Sequence, residues 1–529
     1  MRQLIVKQLD YDLTPVAGLA LVGHHLERLA PVFKRLDQAM PVRNGVVNSD
    51  ILRAYLGLLV QGKSDFDAVE NYRGDTFFKT SLGIKLLPSS PTLRQRLDAR
   101  ATELFDFAHQ MNETLLTRER PDYGVLGCGW LPVDIDTFAM DNGQTVKEGV
   151  SRTYAGVDGY CPLAAYLGRY GYCLELALRP GAQHSARETG FNLERIIPMA
   201  QRLSAAGPKA PLLARFDSGF DSVAIMRELE ACNEARASAL PQVDWLIKWN
   251  PRTTNVAALV ETKTTDGATL WTAEREGKRT TLWEQSVIIE GVQRPVRRVL
   301  RLVERTIDAK GQILILPDYV LEGWTTTLPA GQFDAQAIID LYADHGTHEQ
   351  FHSEFKTDLD LERLPSGKFD TNYLVCQLAS LAMNILRLIG QRGLLGDDGP
   401  VRHPAKRRRL KTVIQELIYR AGRLIATGRS LILGLGANDR AAKAFARVHG
   451  ELFAASTSAK TAPCELTDLE NRFQRRSRRG PSDAITGLTQ ARQGRNSASG
   501  RQMQRFRGQG VRVFHIRAQI TAWRWSARF

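Results

Sequence analysis

With 529 residues, 43% of them hydrophobic and 24% charged, the chain has the make-up of a soluble globular protein with room for two to four domains. No stretch approaches the roughly 18 apolar residues of a membrane span, and the opening MRQLIVKQLDYDLTPVAG is too interrupted for a secretory signal. Six scattered cysteines without a CxxC pair argue against a disulfide framework and a cysteine zinc site, so a cytoplasmic protein with no membrane partner is expected. The formal charge is +14, but from Thr457 to Phe529 14 Arg and one Lys face four acidic residues, which leaves +3 for everything before. The basic signature of a nucleic-acid partner therefore belongs mainly to the tail.

Residues 1–125 read as helical. Asn48-Ser49-Asp50 precedes the apolar-periodic ILRAYLGLLV, which stops at Gly62, and Ser64 opens SDFDAVENY. Ser90 as cap and Pro91 at the first helical position predict a long helix, with Arg94 and Arg96 near its start. A short helix, a turn and a helix led by polar side chains suit a helix-turn-helix reader of DNA, and equally a plain helical bundle. Residues 126–250 change period. WLPVDIDTFAM alternates like a strand and PLAAYLGRYGYCLELAL reads as a hairpin. The strands PLLARF and VDWLIKW then alternate with the helical FNLERIIPMAQRL and SVAIMRELEACNEA, which predicts an α/β fold with a mixed, helix-flanked sheet. Residues 251–334, rich in Thr, Val and Trp with turns at Asp266-Gly267 and Glu276-Gly277, predict a β-rich insertion. Residues 335–456 read as helical through NYLVCQLASLAMNILRLI and KTVIQELIYRAGRLIATG, and 457–529, with little periodicity, are expected to be largely disordered.

Three segments carry candidate chemistry. In WLPVDIDTF, Asp134 and Asp136 fall on one face of a strand, where two carboxylates cost desolvation unless a cation or donors compensate. In PLLARFDSGF an apolar strand runs into Asp217, at the carboxyl end where open α/β sheets build their sites; a cap for the next helix is the plainer use of the same residue. In LYADHGTHEQFHSEFK, Glu349 lies in the first turn of a helix with Lys356 seven residues on, so that a metal-holding carboxylate and a phosphate-holding cation share a face. The same segment spells His348-Glu349-x-x-His352, the spacing of a zinc metallohydrolase. That motif lacks the metzincin continuation, and a protease gives no reason for the carboxylates on the strands.

The spacing Tyr342-x2-His345-x3-Glu349-x6-Lys356 resembles the Y-x2-R-x3-E-x6-K signature of bacterial insertion-sequence transposases, closest to those with a group 1 DDE domain. DIDTF, RFDSGF, LALRPGAQHS and LAMNILRL agree with it, over roughly Asn44 to Ala455. The resemblance implies an RNase H-like mixed sheet with a β-rich insertion, flanked by all-α N-terminal and C-terminal regions, the former binding DNA ends. It implies that Asp136, Asp217 and Glu349 hold two Mg²⁺ ions, which Mn²⁺ can replace, for cleavage and strand transfer at the inverted-repeat ends of an insertion sequence. Asp136 is preferred to Asp134 because Thr137 follows it; Asp134 stays open. Tyr342, His345 and Lys356 would contact the transposon end, with His345 standing where the family has an arginine. A tryptophan of the insertion, Trp324 before Trp271 and Trp283, would stack on an unpaired base. Double-stranded DNA as ends and target, a homodimeric synapse and a nucleoid-associated bacterial setting complete the expectation. The alternatives are the zinc metallohydrolase, a nuclease of another pathway, and a catalytically decayed DNA-binding protein.

Overall fold

A computed structural model describes residues 4–459, apart from Leu9, Thr253, Ala309 and Arg429. The disorder expected of the basic tail lies outside these residues. The centre is a nine-stranded sheet. Its first half is built from β1 (Leu131–Thr137), β2 (Leu163–Leu167), β3 (Tyr172–Ala177), β4 (Leu212–Phe216) and β5 (Val243–Lys248). The strands lie in the order β3-β2-β1-β4-β5. β1 pairs antiparallel with β2, and β2 with β3. On its other side β1 pairs parallel with β4, which pairs parallel with β5. β2, β3 and β4 are buried along their whole length, as strands covered on both faces must be, and their sequences are correspondingly apolar.

The expected β-rich insertion is not a separate sheet. It opens with a helix, Val256–Thr265, and continues as β6 (Thr272–Arg275), β7 (Lys278–Val287), β8 (Val296–Ile307) and β9 (Ile313–Thr326). β9 returns beside β5 through the pairs Trp324↔Lys248, Thr325↔Ile247 and Thr326↔Leu246, so the insertion prolongs the central sheet. The flanking regions are not wholly helical either. KTVIQELIYRAGRLIATG is helical only from Leu410 to Ile418; Gly422–Ala426 is a strand, paired with Leu431–Leu435 and with Leu13–Thr14. Gly422 permits that pairing, since a Cβ there would lie 2.6 Å from Leu433 Cδ1.

Two long helices run through the remaining core. Helix α1 (Ser90–Glu119) starts one residue from the predicted cap: Ser89 Oγ accepts from Thr92 N–H at 3.2 Å, while the Ser90 hydroxyl turns to Asp67. Helix α3 (Phe369–Gly393), long and apolar enough by composition to cross a membrane, is instead wholly buried within the protein. It covers the edge strand β3, and its Asn384 side chain replaces a missing neighbour strand: Oδ1 accepts from Cys173 N–H at 2.8 Å and Nδ2 donates to Cys173 C=O at 2.7 Å. An edge closed in this way cannot recruit another chain. The short helix α2 (His348–Ser353) lies against the β2–β3 turn, where Gly171 has φ of 70° and a Cβ would meet the Phe351 ring at 2.4 Å. A π turn, Glu354–Asp358, follows α2 and is clamped by Arg387 and Arg407 on Glu354 and by Arg409 on Asp358. Sheet, hairpin turn and clamp together fix which face of α2 looks at β1.

Candidate active site

β1 separates its two aspartates. Asp134 is buried opposite Arg215 of β4, whose guanidinium donates to both carboxylate oxygens at 2.6 and 2.8 Å. His345 Nδ1 sits 3.0 Å from the same carboxylate. Burial opposes a charge on Asp134, but Arg215 and His345 outweigh it and hold the carboxyl well below its ordinary range. Its acceptor sites are taken, and it is a structural anion.

Asp136, two residues on, is only half-buried. Its Oδ1 accepts from Thr137 N–H at 2.7 Å, and its Oδ2 lies 2.6 Å from His348 Nε2. Burial again opposes its charge; the hydrogen bond with His348 and the nearby His352 pull the carboxyl below its usual value. Burial likewise disfavours a charged His348, yet Asp136 pushes it up to about 9, whereas burial drives His352 down to about 3. Asp217 follows Phe216 at the end of β4, which is paired with Ile135. The parallel register thus puts Asp136 and Asp217 side by side at the carboxyl ends of adjacent strands. Burial, and then the charge of Asp136, push Asp217 up to about 6. Asp217 also caps the turn Ser218–Phe220 by accepting from Gly219 N–H at 2.9 Å, so the plain and the chemical readings of this residue coexist.

Glu349 is placed differently. It is exposed. Among the described residues the group that gathers on Asp136 is His348 with His352, one donor atom from each within 4.8 Å of the others. The reason is helical geometry: residues four apart share a face, and with His348 and His352 turned inward Glu349 lies about 100° round the helix. Lys356 lies within the π turn, where the regular seven-residue alignment with Glu349 no longer holds, and its surroundings differ from those of the exposed Glu349. It donates to Ala139 C=O at 3.0 Å and pairs with Glu362 at 3.1 Å, close to the end of β1.

The other predicted contacts are also located. His345 is turned inward onto Asp134 and is 2% exposed. Tyr342 is half-buried, between Trp324, His345 and Lys248. Trp324 is 2% exposed in a core with Leu246 and Val299, so as folded it offers no open face to a base; Trp271 and Trp283 are half-buried beneath Arg279 and Lys263. Arg94 is exposed and pairs with Asp67 at 3.6 Å, and Arg96 donates to Asn48 at 2.7 Å. Sequence reasoning missed Arg215, although an arginine inside PLLARF is itself a signal that a buried anion waits on the neighbouring strand. It also missed Lys248, at the end of β5, whose charge reaches Asp217.

A half-buried pair of aspartates at the switch between antiparallel and parallel strands, with histidines against it, is an arrangement suited to divalent metal and phosphoryl chemistry. The sequence matches the family model described as "Transposase DDE domain group 1" over residues 24–457. The chain belongs to that family, and is a transposase of the DDE type. No curated protein matches it. Among solved structures, a cryo-EM structure of a piggyBac transposase synaptic complex with hairpin DNA is similar over 86% of this chain and 84% of that one, at 10% identity and a TM-score of 0.34.

Proposed function

We propose that this transposase cleaves DNA at the inverted-repeat ends of a bacterial insertion sequence and joins the freed 3′ ends to target DNA, with Asp136, Asp217 and Glu349 as its metal-holding carboxylates. The observation that carries the reading is the juxtaposition of Asp136 and Asp217 at the ends of adjacent parallel strands, where burial and then the charge of Asp136 raise Asp217 to about 6. Two neighbouring carboxylates, one ionised and the other disfavoured from ionising beside it, are the expected appearance of a site completed by cations. The strand order β3-β2-β1-β4-β5, antiparallel on one side of β1 and parallel on the other, supports an RNase H-like core.

The donor set fits divalent ions: Asp136 and Asp217 supply hard oxygens suited to Mg²⁺ or Mn²⁺. When bound, such ions supply the charge that activates water or a 3′-hydroxyl and stabilises the leaving oxygen. The chain's own groups would do the rest. Asp136 and Asp217 hold position at the strand ends, and Lys356, tied to Ala139, presents a cation beside them. Glu349, exposed on α2, would reach the two aspartates through a rotation of α2 of about 100°, one residue's turn, which would exchange it for His348 and His352 and release the clamp on the π turn. A cleft of about 370 Å³ beside Gln350 presents Arg169 and Lys406, with Asp344 as its one carboxylate and Arg407 held on Glu354, and its excess of cations suits the phosphates of a DNA strand. Pairing of two DNA ends by a homodimer is part of the same proposal. The test is a strand-cleavage and strand-transfer assay on duplexes carrying the element's ends, with Mg²⁺ or Mn²⁺. Alanine at Asp136, Asp217 or Glu349 should abolish both steps while end binding survives. Full activity of Glu349→Ala would remove that residue from the triad, and full activity of Asp217→Ala would refute the site.

A further inference from the structure

We infer that Asp136, His348 and His352 form a second kind of metal site, a nitrogen-rich one that takes a borderline transition-metal ion of the zinc–cobalt class in preference to Mg²⁺. The inference shares Asp136 with the proposed cleavage site and rests on that reading only there.

Three features of the side chains support it. One donor atom from each residue lies within 4.8 Å of the others, and tetrahedral ligands at ordinary zinc distances are separated by about 3.4 Å, so a small inward movement closes the site. His348 Nδ1 donates to the His345 carbonyl, which fixes that nitrogen as the N–H; Nε2, 2.6 Å from Asp136, holds the proton it shares with the carboxylate and becomes the ligand when a metal ion displaces that proton. A ligating histidine is held in just this way, its second nitrogen bound to a carbonyl or carboxylate. His352 is 6% exposed and its Nε2 has no hydrogen-bond partner. A buried polar atom left in that condition costs about 1–3 kcal/mol, and it calls for a partner.

The surroundings fix the geometry. The His352 ring stacks on Phe138 at 4.4 Å between centroids, 21° from parallel, and Tyr166 closes its other neighbourhood at 5.6 Å. The His348 ring is held edge-on to it at 5.1 Å. Two imidazoles four residues apart on one helix and a carboxylate from a strand leave an open coordination position. Imidazole suits zinc, cobalt and related ions, whereas Mg²⁺ selects oxygen and keeps its water. A packing role alone explains the stack on Phe138. The ion pair with Asp136 explains His348; neither explains why the unpartnered His352 ring converges on the same half-buried carboxylate of β1.

The test is titration of the full-length, metal-stripped protein with Co²⁺, read by visible absorption and equilibrium dialysis. One equivalent should bind, with d–d bands of a nitrogen-ligated ion, and a large excess of Mg²⁺ should leave it in place. His348→Ala should weaken binding about a hundredfold or more, beyond the loss typical of removing an outer-shell partner. His352→Phe keeps the stack on Phe138 and removes only the donor, so it should fold, melt near the parent and lose Co²⁺ equally. Asp217→Asn should retain Co²⁺ while losing Mg²⁺-dependent cleavage. No Co²⁺ uptake by the parent, uptake unchanged in His352→Phe, or ready displacement by Mg²⁺ would each overturn the site. If Mg²⁺-dependent cleavage persists in those cases, the transposase reading survives the loss; if Co²⁺ binds and no cleavage is seen, the reverse holds.

Discussion

Asp134 and Asp136 stand two residues apart on one strand and live in opposite circumstances. Asp134 is closed: a bidentate arginine and a histidine occupy it, and all three are almost fully buried. Asp136 is half-open, its second oxygen shared with His348 and its neighbour Asp217 a like charge. The difference shows what a strand face can do with two carboxylates. One is neutralised by the protein and secures β1 to β4 and to the 345 turn; the other shares one oxygen with a histidine and faces the like charge of Asp217, where a cation can complete the pair. Anchoring and chemistry are thus split between adjacent pleats.

Breaking the open member should have the largest effect. Asp136→Asn keeps shape and removes charge, so cleavage should fall roughly a thousandfold or more, the scale of several kcal/mol of lost metal-borne stabilisation. Its urea midpoint should fall less than that of the closed member's variant, since the buried His348 it leaves unpaired can release its proton, as a guanidinium cannot. Breaking the closed member should do the opposite. Asp134→Ala leaves Arg215 buried and unpaired, which costs about 3–5 kcal/mol. A urea midpoint unchanged in Asp134→Ala, or one as low in Asp136→Asn, would erase the distinction.

Much of this was legible in the sequence, and the limits have physical causes. DIDTF announces two carboxylates on one face, and PLLARFDS announces a third at a strand end. What divides Asp134 from Asp136 comes from Arg215 on another strand and His345, 211 residues away, and no local pattern carries that. The spacing around Glu349 matches the family, but Lys356 lies within a π turn, where a regular seven-residue count no longer holds. The His348/His352 pair was visible as a motif, and read as a competitor to the aspartates; the fold brings it onto one of them. The strand at Gly422–Ala426 was hidden because RLIA continues an apolar period that helices and strands both accept.

The comparison extends to pH through another closed carboxylate. Glu175 of β3 is 1% exposed, paired with Arg195 at 3.1 Å and hydrogen-bonded by Gln377 at 2.7 Å. Burial opposes its charge, but Arg195, His109 and Gln377 bring it down to about 2. A carboxyl lowered from its free value of about 4.5 stabilises the fold fully above that pH and progressively less as pH falls towards 2. The loss across that window should be of order 3 kcal/mol. Glu175→Gln should be less stable at neutral pH and show a flatter acid limb in urea midpoints taken between pH 5 and 2; a limb as steep as the parent's would place the acid sensitivity elsewhere.

The smallest effect concerns charge that the sequence leaves unbalanced. Before Thr457 the chain carries only +3, and in the structure its arginines are largely engaged: Arg215 on Asp134, Arg387 and Arg407 on Glu354, Arg409 on Asp358. From Thr457 onward, 14 Arg and one Lys meet four acids, too few to pair with. Unpaired arginines neutralise phosphates and release counterions, at a log–log salt slope of about −0.9 per phosphate contacted. Deleting Thr457–Phe529 should therefore weaken binding to random duplex DNA and flatten its salt dependence, by about 2.7 in slope if three contacts go. Metal-dependent cleavage at the element's ends should persist, because Asp136, Asp217 and Glu349 all lie upstream and the family match ends at residue 457. A salt series on fluorescent random duplex, run with the full chain and the truncation, reads both quantities. Superimposable lines would show that the tail contributes nothing to the DNA-bound state. A folded truncation that no longer cuts would place part of the catalytic machinery beyond Ser456.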